Sequence, residues 1–473
     1  MSQTSRRKFL KNSGIIGLGF GGLQTFVAQS LVSCSSPGKK QNLTEVSVTP
    51  FKGYGELKAD PKGILNLPEG FRYKVIFRQG EQMDDGLISP DKPDGMATFE
   101  GPDGKIILIR NHETNPGDPN GPWGEDFSLL SKVPSEKIYD AGNGLNPATG
   151  GTSTLVIDED SLTVEKSYLS LAGTVRNCAG GLTPWGSWIT CEESVLKANE
   201  ELEQDHGYPF EVPASAEILL ADPIPLKAMG RFNHEAVAVD PQSGIVYQTE
   251  DRHDGLIYRF IPEEKGNLQK GGRLQVLAIK GQKSVDTRNW AKLDLPPFPI
   301  NQTVEVEWLD IDQVESPEDD LRYRGFEMGA ARFARGEGMW YGDKEVYFAC
   351  TNGGKIEKGQ VFRYIPSEFE GQAKETEAPG KLELFAEPND EEVCQYCDNL
   401  TIAPWGDVVL CEDNKKPFII GITPKGEFYK IAENVGYESE FAGGVFSPSG
   451  KTYFVNIQHV GLTVAIQGPW QHV

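Results

Sequence analysis

The chain has 473 residues, with 53 glycines and 31 prolines against 38% hydrophobic residues. This composition is typical of many short strands joined by turns, and it argues against a helical bundle. The net charge of −23 argues against nucleic acid or anionic lipid as a partner, because a polyanion would be repelled. Bound multivalent cations are one explanation of how so many carboxylates coexist.

The first 33 residues predict a signal peptide that is kept apart from the fold. Residues 5–11, Ser-Arg-Arg-Lys-Phe-Leu-Lys, match the twin-arginine export signal, and residues 31–34, Leu-Val-Ser-Cys, match a bacterial lipoprotein cleavage box. The apolar run between them is too short and too interrupted for a membrane span. We therefore predict an exported protein that is anchored at the cell envelope, in the periplasm or at the outer membrane, only through a lipid on Cys34.

The remaining chain is predicted to be a polar tether over residues 34–50 and a single domain over residues 51–473. Within that domain, Cys394 and Cys397 form a CxxC pair, and both a disulfide and two free thiols are compatible with it. No second cysteine pair stands at zinc-finger spacing, which argues against structural zinc.

Six segments share a turn, an apolar strand of about five residues and a polar or acidic ending. They are residues 104–113, 186–193, 244–251, 343–352, 406–413 and 450–459. This repeat predicts an all-β, six-bladed β-propeller with loop and short helical insertions. Equivalent strands of a propeller end at the same rim of the central channel, so the carboxylates at these ends would converge. They are Glu113, Glu192 or Glu193, Glu250 and Glu412.

Several carboxylates in one cavity cannot all stay ionised without counter-charge. They are either protonated or bound to cations, and so many oxygen ligands favour Ca²⁺ or another hard ion. Three cysteines, Cys191, Cys350 and Cys411, stand at one register of the repeat. Because side chains alternate along a strand, we expect these cysteines on a packed face as core residues.

Two of the connecting segments have helix-forming composition, residues 195–206 and residues 318–334. Residues 115–152 and 367–380 are rich in polar and turn-forming residues instead, and they are expected to be surface loops. None of these segments is long enough to be an independent domain.

Residues 176–193 bring a cysteine and two carboxylates together through one tight turn. Cys178 stands in a glycine-rich loop, and a turn at residues 184–186 leads into a short strand that ends on Glu192 and Glu193. Taken alone, the pattern fits either metal ligands or a buried cysteine followed by a solvated pair. The repeat of this ending elsewhere favours the metal site. Adjacent strand residues point to opposite faces, so only one of the two glutamates is expected to be a ligand.

The mature chain resembles the PhoX-type alkaline phosphatases, exported bacterial propeller enzymes, from residue 111 to residue 470. The motifs that carry the resemblance are residues 176–193, 231–240, 249–252, 331–338, 398–400 and 440–459. The resemblance implies hydrolysis of small-molecule phosphate monoesters at a mixed centre of Fe³⁺ and Ca²⁺. By position it implies that Cys178 is a thiolate ligand of iron and that Arg335 clamps phosphate.

The remaining members of the expected metal-binding set are glutamates. They are Glu193, Glu235, Glu250 and Glu337 from the motifs, with Glu113, Glu412 and Glu440 completing the set. Iron accepts both thiolate and carboxylate whereas calcium takes oxygen only, so one cysteine among many glutamates fits a mixed site. Arg335 precedes Glu337 by two residues and shares its side of an extended segment, so it can reach a phosphoryl group. His234 is expected to orient a neighbour by a hydrogen bond.

Two other functions are compatible with the pattern. One is a calcium-stabilised, non-catalytic propeller that binds a partner, and the other is a calcium-only propeller hydrolase of the lactonase or phytase type. Cys178 separates these from the phosphatase best, because a calcium-only protein has no use for a thiolate among the ligands. We expect a monomer in each case.

Overall fold

The computed structural model describes residues 53–470, which belong to one compact unit, Val48–Val473. The signal peptide, the tether and the lipidation site Cys34 lie outside the described residues. The regular secondary structure of the described part is mainly β-strand, as the glycine-rich composition predicts. In chain order the strands are β1 (Leu57–Lys58), β2 (Leu65–Pro68), β3 (Arg72–Arg78), β4 (Pro93–Glu100), β5 (Ile106–His112), β6 (Gly150–Asp158), β7 (Thr163–Thr174), β8 (Asn177–Leu182), β9 (Ser187–Glu192), β10 (Pro209–Pro213), β11 (His234–Val239), β12 (Val246–Glu250), β13 (Ile257–Pro262), β14 (Gly272–Ile279), β15 (Thr303–Asp310), β16 (Gly336–Tyr341), β17 (Val346–Cys350), β18 (Gln360–Ile365), β19 (Lys381–Ala386), β20 (Cys397–Ile402), β21 (Val408–Glu412), β22 (Phe418–Ile422), β23 (Phe428–Asn434), β24 (Phe441–Phe446), β25 (Thr452–Ile457) and β26 (Leu462–Gln467).

The described strands form a propeller-like fold of four blades and one nine-stranded sheet. The blades are β4-β5-β6-β7, β8-β9-β10, β1-β2-β23-β22-β21-β20 and β3-β26-β25-β24. The larger sheet has the order β11-β12-β13-β14-β15-β19-β18-β17-β16, because β15 pairs with both β14 and β19. The predicted six separate blades are therefore not reproduced as six separate sheets.

All six repeated segments of the sequence are strands, and each is the second strand of an up-and-down unit. They correspond to β5, β9, β12, β17, β21 and β25. The strand before each of them is an innermost strand. These innermost strands, β4, β8, β11, β16, β20 and β24, lie side by side in this order, and β24 lies against β4 again. The repeat in the sequence thus places its strand ends around one axis.

The two ends of the described chain complete the arrangement. Strand β3 near the beginning pairs with β26 near the end, and β2 pairs with β23. Pairing early strands with late ones leaves fewer open sheet edges.

Apolar side chains fill the spaces between neighbouring sheets in several buried clusters. Cys191, Cys350 and Cys411 lie in three different clusters and are fully buried among aliphatic and aromatic side chains. These thiols are core residues, as predicted. Cys394 and Cys397 are buried free thiols, so of the two possibilities the structure shows the unpaired one.

The helix-forming composition of residues 318–334 corresponds to a real helix, α1 (Leu321–Met328), which stops at Gly329 with a φ of 126°. Residues 195–206, in contrast, form an irregular loop, and the prediction of a helix there is wrong. The Asn199 side chain accepts hydrogen bonds from two backbone N–H groups of this loop, and Asp205 accepts one from Ala198. Such local side-chain bonds compete with helical ones.

The other connections of the described part contain short 3-10 helices: Pro102–Gly104, Ser128–Lys132, Ser135–Lys137, Gly142–Gly144, Lys227–Met229, Leu268–Lys270, Ala291–Leu293, Glu375–Glu377 and Gln458–Val460. Between residues 53 and 470, no helix is long and apolar enough to span a membrane.

Candidate metal centre

Five of the innermost strands carry an acid or a thiol at their second residue. These residues are Asp94 on β4, Cys178 on β8, Glu235 on β11, Glu337 on β16 and Asp398 on β20. In every one of these strands, the pairing with the next strand is interrupted by an extra residue at this point. A β-bulge of this kind re-aims a side chain, which explains how five separate strands direct the same position to one place.

The residue after each of these five is small or short, which lets the strands approach one another. A Cβ atom on Gly338 would lie 2.5 Å from the backbone nitrogen of Leu400, and one on Gly95 would lie 2.6 Å from the Cα atom of Ala179. No side chain fits at these distances, so glycine is required at both positions. The close approach of the strands is what concentrates their acids.

A second set of side chains comes from the residue that directly follows each second strand. Its backbone N–H donates to the carbonyl of the residue directly before the innermost strand of the same unit. The six bonds join Glu113 to Lys92, Glu193 to Arg176, Asp251 to Asn233, Thr351 to Arg335, Asp413 to Tyr396 and Gln458 to Glu440. The repeated bond fixes the residue after each second strand against the start of the innermost strand in the same unit.

Seven side chains meet as a result, and we call them the acidic cluster. They are Asp94, Glu113, Cys178, Glu193, Glu235, Glu337 and Asp398. They form three overlapping groups of three, and within each group the potential ligand atoms lie within 4.8 Å of one another. Cys178 belongs to two groups and Glu235 to two, so the three groups are continuous.

Several oxygen atoms of the acidic cluster have no hydrogen-bond partner among residues 53–470. Both carboxyl oxygens of Glu235 are in this state, as are one of Asp94 and one of Asp398. Glu235 is fully buried and Asp94 is 3% exposed. An unpartnered buried carboxylate is strongly unfavourable, so these atoms are placed for a ligand of positive charge.

The crowding has a clear electrostatic consequence. Burial first, and then Glu337, raise the pKa of Glu235 well above its usual value, and burial with Glu113 does the same to the pKa of Asp94. Burial and the neighbouring Asp251 raise the pKa of Glu193 to about 8. Burial followed by the Asp94 charge raises the pKa of the Cys178 thiol well above its usual range. Bound cations would reverse these shifts, because they favour the deprotonated ligands.

The donor set fits a metal centre of mixed type. Cys178 supplies one sulfur and the other members of the acidic cluster supply carboxyl oxygens. A thiolate suits iron, whereas oxygen donors in such number suit calcium. The residues present thus fit both ions that the sequence predicts.

Arg335 borders the acidic cluster at the start of β16. Its Nε and Nη2 atoms donate to the two carboxyl oxygens of Asp251 at 2.8 and 2.9 Å, and Nη2 lies 2.7 Å from Glu337 Oε1. The side chain is 28% exposed. The prediction that Arg335 shares the side of Glu337 agrees with this geometry.

A second arginine, Arg176, occupies the same position before β8 and was given no role by the sequence. Its Nη2 atom lies 2.5 Å from Glu113 Oε1 and also pairs with Glu193. Burial lowers its pKa, but Glu113 and Glu193 outweigh this and hold the pKa above the usual value. Arg176 is therefore a cation inserted between two members of the acidic cluster.

Three glutamates at the ends of second strands, Glu192, Glu250 and Glu412, do not join the acidic cluster, and we call them the strand-end acids. Glu412 accepts hydrogen bonds from the backbone N–H groups of Gln395 and Phe418. Glu250 accepts from the N–H of Leu256 and the Tyr258 hydroxyl.

Glu192 accepts backbone hydrogen bonds from Val175 and Gly207 and lies 2.6 Å from His206 Nδ1. Of the two candidates that the sequence left open, Glu192 and Glu193, only Glu193 lies in the acidic cluster. In two other units the position equivalent to Glu193 is occupied by Asp251 and Asp413, which directly follow Glu250 and Glu412.

Glu440 lies beside the acidic cluster and outside its three groups. Burial and then the neighbouring Asp413, Asp94 and Glu113 raise its pKa well above the usual value. His459 Nε2 lies 3.6 Å from its Oε1 atom.

Asp94 and Asp398 are the members of the acidic cluster that sequence reasoning missed. The signal was present, because each is an acid followed by a short residue and then an apolar strand, as in Asp94-Gly95-Met96. The same spacing surrounds Glu235 and Glu337. Searching for the second strands alone could not detect a repeat that lies in the innermost strands.

His234 is fully buried, and its Nε2 atom lies 2.9 Å from the carbonyl of Gly230. Its ring stacks on Phe232 with centroids 3.6 Å apart. Burial lowers its pKa to about 3, so the imidazole is neutral and fixes the backbone next to Glu235.

The fold and the acidic cluster together define a propeller-like protein with a candidate metal centre. The chain belongs to the alkaline phosphatase PhoX family, whose sequence profile matches residues 52–164 and 147–461. This membership confirms the resemblance read from the motifs. The family is metal-dependent, and membership supports a phosphatase function for the chain.

Among solved structures, PhoX of Pseudomonas fluorescens in complex with vanadate, a transition-state analogue, is similar in fold. The TM-score is 0.59 at 17% sequence identity, over 86% of this chain and 96% of that chain. A gluconolactonase from Xanthomonas campestris has a TM-score of 0.40 at 10% identity, covering 85% of this chain and 97% of that one. A protein of unknown function from Bacteroides thetaiotaomicron has a TM-score of 0.43 at 9% identity, over 84% and 76% of the two chains. The last two are too dissimilar to carry an argument. A search of curated proteins gave no match.

Proposed function

We propose that the chain is a metal-dependent phosphomonoesterase that releases inorganic phosphate from small-molecule phosphate esters. The observation that carries the proposal is the acidic cluster itself, in which buried carboxyl oxygens without partners surround one thiol. This donor set occurs in a chain of the alkaline phosphatase PhoX family. Fe³⁺ and Ca²⁺ are the ions that the sulfur and oxygen donors fit best.

In this proposal the acidic cluster holds the metals and Arg335 holds the substrate. Bound iron and calcium would supply the positive charge that activates the attacking oxygen and stabilises the phosphoryl group. Asp251 and Glu337 orient the Arg335 guanidinium through Nε and Nη2, which leaves Nη1 for a phosphoryl oxygen. A charged, planar donor fixed in this way stabilises charge that develops in the transition state.

The neutral Cys178 and the protonated acids of a metal-free chain would have to release protons when metals bind. His234, through its bond to the Gly230 carbonyl and its stacking on Phe232, and the bulged strand pairing keep the ligand positions fixed during this exchange. Burial excludes water from the floor of the site, where Glu235 is fully enclosed.

We also propose that the fold is best counted as six blades. Dividing the nine-stranded sheet at β15 gives two up-and-down units, which with the four blades makes one unit for each of the innermost strands. The six equivalent backbone hydrogen bonds between strand tops support the same count.

Export by the twin-arginine route and anchoring through a lipid on Cys34 remain part of the proposal, supported by the motifs at residues 5–11 and 31–34. A location outside the cytoplasm agrees with an enzyme that takes small phosphate esters from the environment.

The test of the proposed function is an assay of the purified protein with an aryl phosphate ester, together with analysis of bound metals. We expect phosphate release with iron and calcium both bound, and loss of metals and activity in Glu235→Gln. The matched control is Glu412→Gln, a buried strand-end acid that should keep the metals and the activity.

Two results would contradict the proposal. Lactone hydrolysis or phytase activity with calcium as the only metal would favour the calcium-only hydrolase. Bound calcium without any ester hydrolysis would favour the non-catalytic propeller.

A further inference from the structure

We propose that Arg176 is a second phosphate-binding residue, so that the substrate phosphoryl group lies between two arginine side chains. This inference rests on the proposed function, because it concerns the same site. It adds a residue to the site that neither the sequence motifs nor the family resemblance assigned.

The repeat relates the two arginines. Arg176 and Arg335 occupy the same position in their units, since the carbonyl of each accepts the equivalent backbone hydrogen bond, from Glu193 and Thr351 respectively. Each precedes a member of the acidic cluster by two residues, Cys178 and Glu337. Each also has a positive φ, 48° for Arg176 and 53° for Arg335.

A positive φ is unfavourable for arginine, which has no means of stabilising the left-handed conformation with its own side chain. Such strain persists only where the surrounding structure fixes it. Lys92 and Tyr396, which occupy the same position in two other units, also have positive φ values of 45° and 55°. The conformation therefore belongs to the repeat, and it supports the equivalence of the Arg176 and Arg335 positions.

The two guanidinium groups also have similar hydrogen bonding. Arg176 uses Nε on the carbonyl of Glu193 and Nη2 on the carboxyl groups of Glu113 and Glu193. Arg335 uses Nε and Nη2 on Asp251 and Glu337. In both residues Nη1 makes no hydrogen bond within residues 53–470, and about a third of the side chain is exposed, 32% and 28% respectively.

The acids that pair with the two arginines lie close to each other. Glu193, which pairs with Arg176, and Glu337, which pairs with Arg335, each share a group with Glu235 in which potential ligand atoms lie within 4.8 Å. Glu193 also lies next to Asp251, the second partner of Arg335. The two guanidinium groups therefore each pair with an acid that neighbours Glu235.

Charge favours the same arrangement. The acidic cluster has seven potential anions, and the chain carries a net charge of −23, so an incoming phosphate is repelled over a long range. Two arginines on different strands can hold different oxygens of one phosphoryl group, which a single fork cannot do.

The experiment measures binding of inorganic phosphate and of vanadate to the metal-loaded protein by calorimetry, with metal content determined on every sample. The variants are Arg176→Ala, Arg176→Lys and Arg335→Ala. The matched control is Arg273→Ala, which removes a half-exposed arginine that is paired with Asp310 on an outer strand.

We expect Arg176→Ala to weaken binding of both anions by about 10- to 100-fold, the scale for a hydrogen bond to a charged group, with metal content retained. Arg176→Lys should recover only part of this loss, because lysine keeps the charge and lacks the fork. Arg273→Ala should bind both anions as the wild type does.

Unchanged anion affinity in a metal-loaded Arg176→Ala protein would overturn the inference. If Arg176→Ala loses its metals, the anion affinity of Arg176→Lys distinguishes the two roles of Arg176. A metal-loaded lysine variant with full affinity would show that Arg176 only neutralises Glu113 and Glu193, and a weakened one would support phosphate binding.

Failure of the proposed function gives a different result. If the wild-type protein binds phosphate through Arg176 but hydrolyses no ester, the proposed phosphatase function is wrong and the anion-binding role of Arg176 stands. A wild-type protein that binds neither phosphate nor vanadate would overturn the inference itself.

Discussion

The acidic cluster and the strand-end acids are built from the same residue types, often one residue apart, and they have opposite environments. Glu192 accepts backbone hydrogen bonds and lies 2.6 Å from His206 Nδ1, whereas the next residue, Glu193, lies in the acidic cluster with Cys178 and Glu235 and pairs with Arg176. On β11 both carboxyl oxygens of Glu235 lack a hydrogen-bond partner among the described residues. Glu250 on the adjacent β12 accepts two hydrogen bonds at Oε2, and its Oε1 atom lies 3.5 Å from Arg322 Nη1.

The difference shows that proximity to a propeller axis does not by itself make an acid a metal ligand. A carboxyl group whose oxygens are taken by backbone N–H groups stabilises a loop, because it satisfies donors that the strand end leaves open. A carboxyl group that meets only other acids needs a cation. The hydrogen-bond partners therefore separate a structural role from a functional one, and this separation can be tested.

The largest effect is expected for Cys178→Ser, compared with Cys191→Ser in the same pair of strands. Serine is a poor iron ligand at neutral pH, so Cys178→Ser should lose iron and about three or more orders of magnitude of activity. Cys191 lies in an apolar cluster, so its replacement should cost about 1–3 kcal/mol of unfolding free energy and leave the metals bound.

Metal analysis, the visible thiolate-to-iron absorption and a phosphate ester assay measure this pair. Full iron content and full rate in Cys178→Ser would remove the thiol from the proposed metal set. Loss of metals in Cys191→Ser would show that the two environments are coupled.

Arg335→Ala should lower kcat/KM for a phosphate ester by about two to three orders of magnitude, the scale for removing one donor that stabilises transition-state charge. Metal content should stay close to that of the wild type, because Arg335 contributes no ligand atom. Steady-state kinetics on metal-quantified samples measure the effect. Loss of metals would instead mean that Arg335 acts by neutralising Glu337, which lies 2.7 Å from it.

Removal of metals should lower the melting temperature of the protein. Ions that bind the folded chain alone stabilise it by mass action, and their loss leaves the buried carboxyl groups of Glu235 and Asp94 without counter-charge. We expect a decrease of roughly 5 °C or more with excess chelator. Glu235→Gln should show a smaller decrease, since it has already lost part of the site. A chelated wild type with an unchanged transition would contradict a cation-bound cluster.

Glu412→Ala should show the smallest effect, and only on stability. The change leaves the N–H groups of Gln395 and Phe418 without their acceptor, which costs about 1–3 kcal/mol. Denaturant unfolding measures the loss, and metal content and activity per folded molecule should not change. Loss of metals in Glu412→Ala would show instead that Glu412 contributes to metal binding.

Much of the architecture could be predicted from the sequence because it follows from local patterns. Short apolar strands with polar endings repeat at residues 104–113 and at five later segments, and each of them is a strand. The burial of Cys191, Cys350 and Cys411 followed from alternation along a strand, which needs no tertiary information. Long motifs made it possible to single out four residues that lie in the acidic cluster: Cys178, Glu193, Glu235 and Glu337.

The prediction of a helix over residues 195–206 was wrong because composition does not reveal side-chain hydrogen bonds. Asn199 and Asp205 accept such bonds and stabilise a loop. The six predicted blades do not form six separate sheets, because β15 pairs with both β14 and β19. Neither the loop hydrogen bonds nor the pairing of β15 can be predicted from the local periodicity of the sequence.

The sequence by itself determined which residue types stand at the strand ends, and so it determined that acids would gather around one axis. Only the tertiary structure decided which of them meet, because the bulges in the innermost strands turn Asp94 and Asp398 inward while backbone donors hold Glu250 and Glu412 outside. A shift of one residue along a strand reverses the direction of a side chain, and that shift depends on pairing with the neighbouring strand.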